Sequence, residues 1–251
     1  MKKFLTTVFV LFTCLCLCCS LASCNDGATN ELNSNTDSEA SAPSGNTTTI
    51  EADSIEDLEE AIEKDIADTI NQLNKKWQVL KTQITTYDEY VKKSDDVENF
   101  YNEVNNNIEK ACIRLQKYTL QYAELIMDSN ASHDDKYDAF ADLLECIYEE
   151  AAENLHEEIY EDLFNALKDS FYDGVLKDSD TGPSYSEWYD TRSDEYSNWY
   201  DTRSDVYDNW YDTRSDIYDF YYDMRGELWD NDMERAEKIF DGYKKDVENL
   251  T

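Results

Sequence analysis

From Ser54 onward, apolar residues recur along the chain at spacings of three and four. One stripe runs Ile55, Leu58, Ile62, Ile66, Ile70, Leu73, Trp77, Leu80, Ile84, Tyr87, Val91. A second runs Val97, Tyr101, Val104, Ile108, Ala111, Leu115, Tyr118, Tyr122, Leu125. A third runs Tyr137, Phe140, Leu144, Ile147, Ala151, Leu155, Ile159, Leu163, Leu167, Phe171. Stripes of this period are the buried faces of amphipathic helices. Ser54 with Asp57 and Ser132 with Asp135 read as helix starts, Ser94-Asp95-Asp96 as a further N-cap, and Asp128-Ser129-Asn130 as a stop. The pattern predicts helices ending near Lys93, Asp128 and Phe171, each about forty residues and about 60 Å long at 1.5 Å per residue. Short connections make long helices antiparallel neighbours, so residues 53–173 are expected to form a three-helix bundle.

After Gly174 and Asp180-Thr181-Gly182-Pro183, a linker over 174–185, the chain repeats itself every 11 residues. The block Glu187–Ser197 recurs from Asn198 and Asn209, degenerates from Phe220, and is barely recognisable from Asn231. Eleven residues in three turns is the hendecad period of a straight or slightly right-handed helix. One helix over 186–250 is expected, about 95 Å long, well beyond the body before it. It must therefore bend near Gly226 or protrude. The fold class is all-α: an elongated, coiled-coil-like antiparallel bundle with a long C-terminal hendecad-repeat helix.

Placed on that helix, Tyr189, Arg192, Tyr196, Tyr200, Arg203, Tyr207, Tyr211, Arg214 and Tyr218 form one stripe. Trp188, Trp199, Val206, Trp210, Ile217, Tyr221 and Leu228 flank it, and Asp190, Asp194, Asp201, Asp205, Asp208, Asp212, Asp216 and Asp219 lie opposite. Of six arginines in the chain, Arg192, Arg203, Arg214 and Arg225 share one repeat position. Their neighbours three and four residues away are almost all aromatic or aliphatic, and only Arg192 has an acid there, Glu195. Guanidinium groups stack well on aromatic rings but still need acceptors. These come from another helix, another molecule or water. Glu59, Glu60, Glu63, Glu149, Glu150, Glu153, Glu157 and Glu158 are candidates on the body. The face either packs there or is a partner-binding surface made of Trp188, Tyr189, Arg192, Trp199, Tyr200, Arg203, Trp210, Tyr211 and Arg214.

Composition narrows the field. The chain of 251 residues carries a formal charge of -35, which argues against nucleic acid as a partner. With 6 Gly and 2 Pro there is little turn chemistry for sheets, while 33 aromatic residues are too many for a solvated tail.

At the N-terminus, Lys2 and Lys3 precede the apolar run Phe4–Thr13, the form of a secretory signal peptide. The run continues through a Cys/Leu stretch and ends in Leu21-Ala22-Ser23-Cys24, which resembles the bacterial lipoprotein lipobox. The resemblance implies cleavage after residue 23 and diacylation of Cys24, and two acyl chains suffice for stable anchoring in the lipid bilayer. Cleavage removes both lysines and no acid, so the mature body is more acidic still. Residues 24–52 are then a lipidated cysteine and a tether rich in Asn, Ser, Thr and Gly. Cys112 and Cys146 are the two thiols left, either bridged or packed as small hydrophobes. The WYDTRSD-like block is similar to uncharacterised helical lipoproteins of anaerobic Gram-positive bacteria, a resemblance that implies no activity.

No nucleophile motif, Gly-rich phosphate loop or zinc spacing is present, and Asp178–Gly182 departs from a calcium loop at its glycine. His133 and His156 have no ligand motif around them and are expected at the surface. The expected function is therefore non-enzymatic and without cofactor. It is a membrane-anchored extracytoplasmic binding or scaffolding module, with self-association or an envelope protein as the partners left open. The alternative is capture of solutes or cations by the acidic stripe.

Overall fold

Ser54 opens the first helix by accepting the Asp57 N–H on its hydroxyl at 3.2 Å. The computed structural model describes residues 52–178 and 184–250. The expected leader, Cys24 and nearly all of the tether lie outside these residues. Six helices follow in order, α1 (Ile55–Gln83), α2 (Tyr87–Lys92), α3 (Ser94–Asp128), α4 (133–175), α5 (Tyr185–Trp229) and α6 (Met233–Glu248), with no strand among the described residues.

α1 stops ten residues short of the expected end at Lys93. Ile84, Thr85 and Thr86 are three β-branched residues in succession, a run that favours extended backbone. Thr86 then accepts the Glu89 N–H at 3.3 Å, and Glu89 takes the N–H groups of Thr85 and Thr86 at 2.9 and 3.1 Å. This capping box restarts the helix as α2. The stripe hides the break, because Ile84 and Tyr87 remain buried across it, whereas Val91 is 47% exposed.

α3 follows its stripe closely, with every member from Val97 to Tyr122 at most 2% exposed. α4 begins with a full capping box between Ser132 and Asp135. It then runs as one helix in which the segments Leu144–Ala151, His156–Leu163 and Phe171–Val175 are π-helical. The cause is in the spacing: Leu143, Ile147, Ala151, Leu155, Ile159, Leu163, Leu167 and Phe171 are all buried and all four apart. In a regular α-helix each step of four overshoots a full turn by about 40°, so seven steps would carry the stripe most of the way round. The wider π turns take up the excess and keep the stripe on one side.

The four long helices run up-down-up-down. α1 and α5 each pack on both α3 and α4. Tyr122 meets Glu59 and Arg114 meets Asp65 along the α1–α3 seam, while Trp199 meets Phe164 and Trp210 meets Ala152 along α4–α5. The repeat helix thus completes a four-helix bundle. It is not one helix to residue 250. α5 ends at Trp229, Asn231 turns the chain at φ 57°, and Asp232 caps α6 by accepting the Arg235 N–H at 3.1 Å. Asn tolerates the left-handed conformation, so the turn sits there and Gly226 stays inside α5. α6 folds back on α5 and α3, stacking Tyr243 on Phe220 with ring centres 4.0 Å apart and pairing Lys244 with Glu124 at 2.8 Å. The excess length that a 95 Å helix would have left unpartnered is thereby absorbed.

Cys112 and Cys146 are free thiols, the first buried and the second half-buried. Burial pushes their thiols up to about 11 and about 12.

Candidate functional site

The repeat helix presents two different faces, and α4 divides them. On the inner side, Trp188, Trp199 and Trp210 donate their indole N–H groups to the carbonyls of Leu176, Phe164 and Ala152 at 3.1, 2.8 and 2.8 Å. The donors are 11 residues apart and the acceptors 12. The π turns reconcile the two counts, since a wide turn adds a residue without adding a turn.

Each arginine of the repeat lies over a tyrosine of α4. The guanidinium carbons of Arg192, Arg203, Arg214 and Arg225 are 4.0, 3.8, 4.0 and 3.8 Å from the ring centres of Tyr172, Tyr160, Tyr148 and Tyr137. On the other side each approaches a ring of its own helix, Trp188, Trp199, Trp210 or Tyr221, at 5.0 to 5.7 Å. α4 and the two residues after it also supply acceptors. Arg192 donates to the carbonyls of Leu176 and Lys177 at 3.2 and 2.9 Å, Arg203 to that of Tyr160 at 3.3 Å, and Arg214 pairs with Glu153 at 2.8 Å. Asp173 and Glu161 stand 3.8 and 3.9 Å from Arg192 and Arg203. Of the eight glutamates named from sequence, Glu153 is the one that pairs with a repeat arginine.

The outer side carries eight tyrosines in four pairs: Tyr185/Tyr189, Tyr196/Tyr200, Tyr207/Tyr211 and Tyr218/Tyr222. Within each pair the ring planes lie 20 to 23° apart, with centres 5.9 to 6.4 Å apart. All eight are exposed. Tyr196, Tyr207 and Tyr218 lean on Tyr172, Tyr160 and Tyr148 at 5.2, 5.2 and 5.5 Å, so each of these three arginine-holding rings of α4 continues outward into an exposed pair. Successive tiers are about 16.5 Å apart at 1.5 Å per residue. The residue after the second tyrosine of each pair is an exposed aspartate: Asp190, Asp201, Asp212 and Asp223.

The nine residues predicted for partner binding fall on both sides of this divide. Trp199 and Trp210 are buried and Trp188 is half-buried, while Arg192, Arg203 and Arg214 keep 20, 25 and 23% of their side chains exposed. Tyr189, Tyr200 and Tyr211 face solvent at 57, 56 and 54%. The structure adds Tyr137, Tyr148, Tyr160 and Tyr172, which sequence reasoning missed. Their spacings of 11, 12 and 12 were the available signal.

Glu195 is the one break in the inner pattern. It stands where the next repeats have Val206, Ile217 and Leu228, and it is fully buried. It turns away from Arg192, accepting the hydroxyls of Tyr90 and Tyr101 at 2.5 and 2.7 Å. Burial pushes its carboxyl up to about 7, against the lowering effect of the two hydroxyls. Burial and this carboxylate raise both tyrosines in turn. His156, expected at the surface, is largely enclosed instead, stacked between Trp210 at 4.2 Å and Tyr160 at 4.9 Å.

A cleft of about 560 Å³ lies between Thr85–Asp88 and Ser170–Asp178. Among the described residues no three His, Cys, Asp or Glu side chains converge as a metal site, and no described helix is long and apolar enough to cross a membrane. Comparison of the chain with protein-family models, curated proteins and solved structures finds no match.

Proposed function

We propose that this chain is a lipid-anchored extracytoplasmic binding or scaffolding module, without enzymatic activity, and that its working surface is the outer tyrosine ribbon of α5. The observation that carries the reading is the set of four exposed, stacked tyrosine pairs in register along one helix. Exposed aromatic surface of this extent is unusual on a protein with no partner. Three of the four pairs are held from beneath, because Tyr196, Tyr207 and Tyr218 each lean on an α4 ring that itself carries an arginine. Little side-chain entropy remains to be lost on binding, which favours affinity.

The cellular address rests on the resemblance of Leu21-Ala22-Ser23-Cys24 to a lipobox and on the polar segment after it. Acylation of Cys24 would hold the bundle near the bilayer while its charge keeps the body off an anionic surface.

The test is tyrosine nitration mapped by mass spectrometry, on the purified chain and on the same chain in its native envelope. Tyr189, Tyr200, Tyr211 and Tyr222 should react in isolation and be protected in the envelope. Equal reactivity in both settings would remove the binding role.

A further inference from the structure

The inner and outer faces of the repeat share one chemical unit, and the inner face shows what that unit holds. On α4, Tyr172-Asp173 and Tyr160-Glu161 each take a guanidinium over the ring, at 4.0 and 3.8 Å, with the following acid within 3.9 Å. On α5 the same dipeptide, tyrosine followed by an acid, recurs six times on the solvent side, four of them at the second tyrosine of each pair, from Tyr189-Asp190 to Tyr222-Asp223. Resting on the reading of the ribbon as a binding surface, we propose that its partner is a polypeptide segment bearing arginines, each seated on an outer tyrosine against its aspartate.

Three observations select this occupant. Charge is complementary: the ribbon is edged by aspartate at every tier on a chain of net charge -35, and a cationic partner is steered to it and held by ring and carboxylate together. Arginine is preferred to lysine, because inside this protein guanidinium carbons reach 3.8 to 4.0 Å from ring centres, whereas Lys81 and Lys168 stay 5.8 Å away. The planar fork stacks and pairs at once, which an ammonium does not. A second copy of this chain cannot supply the arginines. Four of the six are committed beneath the ribbon, Arg114 is bound to Asp65 at 2.7 Å, and Arg235 alone is highly exposed. Two ribbons edged with aspartate would also repel.

The spacing of the tiers sets the partner's period. About 16.5 Å corresponds to 11 residues of a helix or to five of an extended strand.

The experiment titrates the full chain with a helical peptide carrying four arginines at 11-residue spacing. Controls are a peptide of the same composition with its arginines scattered round the helix, a lysine version, and a neutral amino-sugar oligosaccharide. The in-register arginine peptide should bind, weaken with salt, and lose at least about tenfold in affinity to the variant Y189S/Y200S/Y211S/Y222S. The lysine and scattered peptides should bind at least about tenfold more weakly to the native chain. The four tyrosines are 54 to 66% exposed, so the variant should keep the native melting temperature. If it does not, D190N/D201N/D212N/D223N leaves every ring in place and should weaken binding by itself.

Equal binding of scattered and in-register peptides would reduce the effect to bulk charge and overturn the proposal. So would undiminished binding to the variants, or binding of the oligosaccharide alone. Nitration protection in the envelope without arginine-peptide binding would leave the ribbon as a binding surface and reject its cationic partner. Absence of both would reject the two together.

Discussion

Replacing Glu195 with Gln tests the interior of the bundle at its one buried acid. The carboxyl is raised from 4.5 to about 7 by burial between Tyr90 and Tyr101. Between those pH values the folded chain keeps a proton that the unfolded chain has lost. The stabilisation from this group is therefore complete below pH 4.5 and disappears as pH rises through about 7. At 1.36 kcal/mol per unit, the span is worth about 3 kcal/mol. Gln keeps the shape and an acceptor oxygen but cannot ionise. Urea unfolding of the native chain and of E195Q from pH 5 to pH 8.5 should show the native chain losing about 2.5 kcal/mol more than the variant. Burial also raises Glu150, Glu158 and Asp216, but these are present in both chains and cancel in the difference. A native-minus-variant difference that stays constant over the range would refute the assignment of a buried, titrating carboxyl.

Arg203→Lys keeps the charge but gives up the stack at 3.8 Å on Tyr160 and the bond to its carbonyl, and should cost about 1 kcal/mol in chemical denaturation; an unchanged midpoint would show that the tier contributes nothing. Deleting exposed Glu157 from its π segment should convert a wide turn into an α turn and leave the melting temperature nearly unchanged. Deleting exposed Asn165 from an α segment should rotate the remainder of α4 by about 100° and abolish cooperative unfolding, and equal tolerance of the two deletions would contradict the role given to the π turns. Cys24→Ser in the full chain should move the protein from the membrane fraction to the soluble fraction on immunoblotting, and membrane retention of the variant would remove the lipid anchor.

The features that sequence made legible are those written in a regular period. α3 follows its alternating stripe from Val97 to Tyr122, and the capping boxes at Thr86 and Ser132 show why a threonine or serine three residues before an acid marks a start. The start at Thr86 escaped notice because the core stripe crosses it without interruption. The π turns of α4 escaped for a related reason: successive spacings of four look like a loose heptad unless the drift is added up. The hendecad of α5 was plain, and its arginines correctly demanded acceptors. Their tyrosine partners on α4 recur at 11, 12 and 12, so no single fixed period brings them out. Glu195 was read beside Arg192 because the two are neighbours on one helix. Only the packing of α2 and α3 reveals the pair of hydroxyls that holds it instead. The division of the aromatic stripe into an inner and an outer face likewise depends on where α4 lies, which the α5 sequence alone does not contain.

The most direct test of the outer ribbon as working surface is photo-crosslinking in cells that make the protein. A benzoylphenylalanine at Tyr200, 56% exposed on the ribbon, is compared with one at Val79, 52% exposed on α1. A discrete crosslinked product from position 200 and none from position 79 is the predicted result. No product from position 200, or the same products from both positions, would contradict the account.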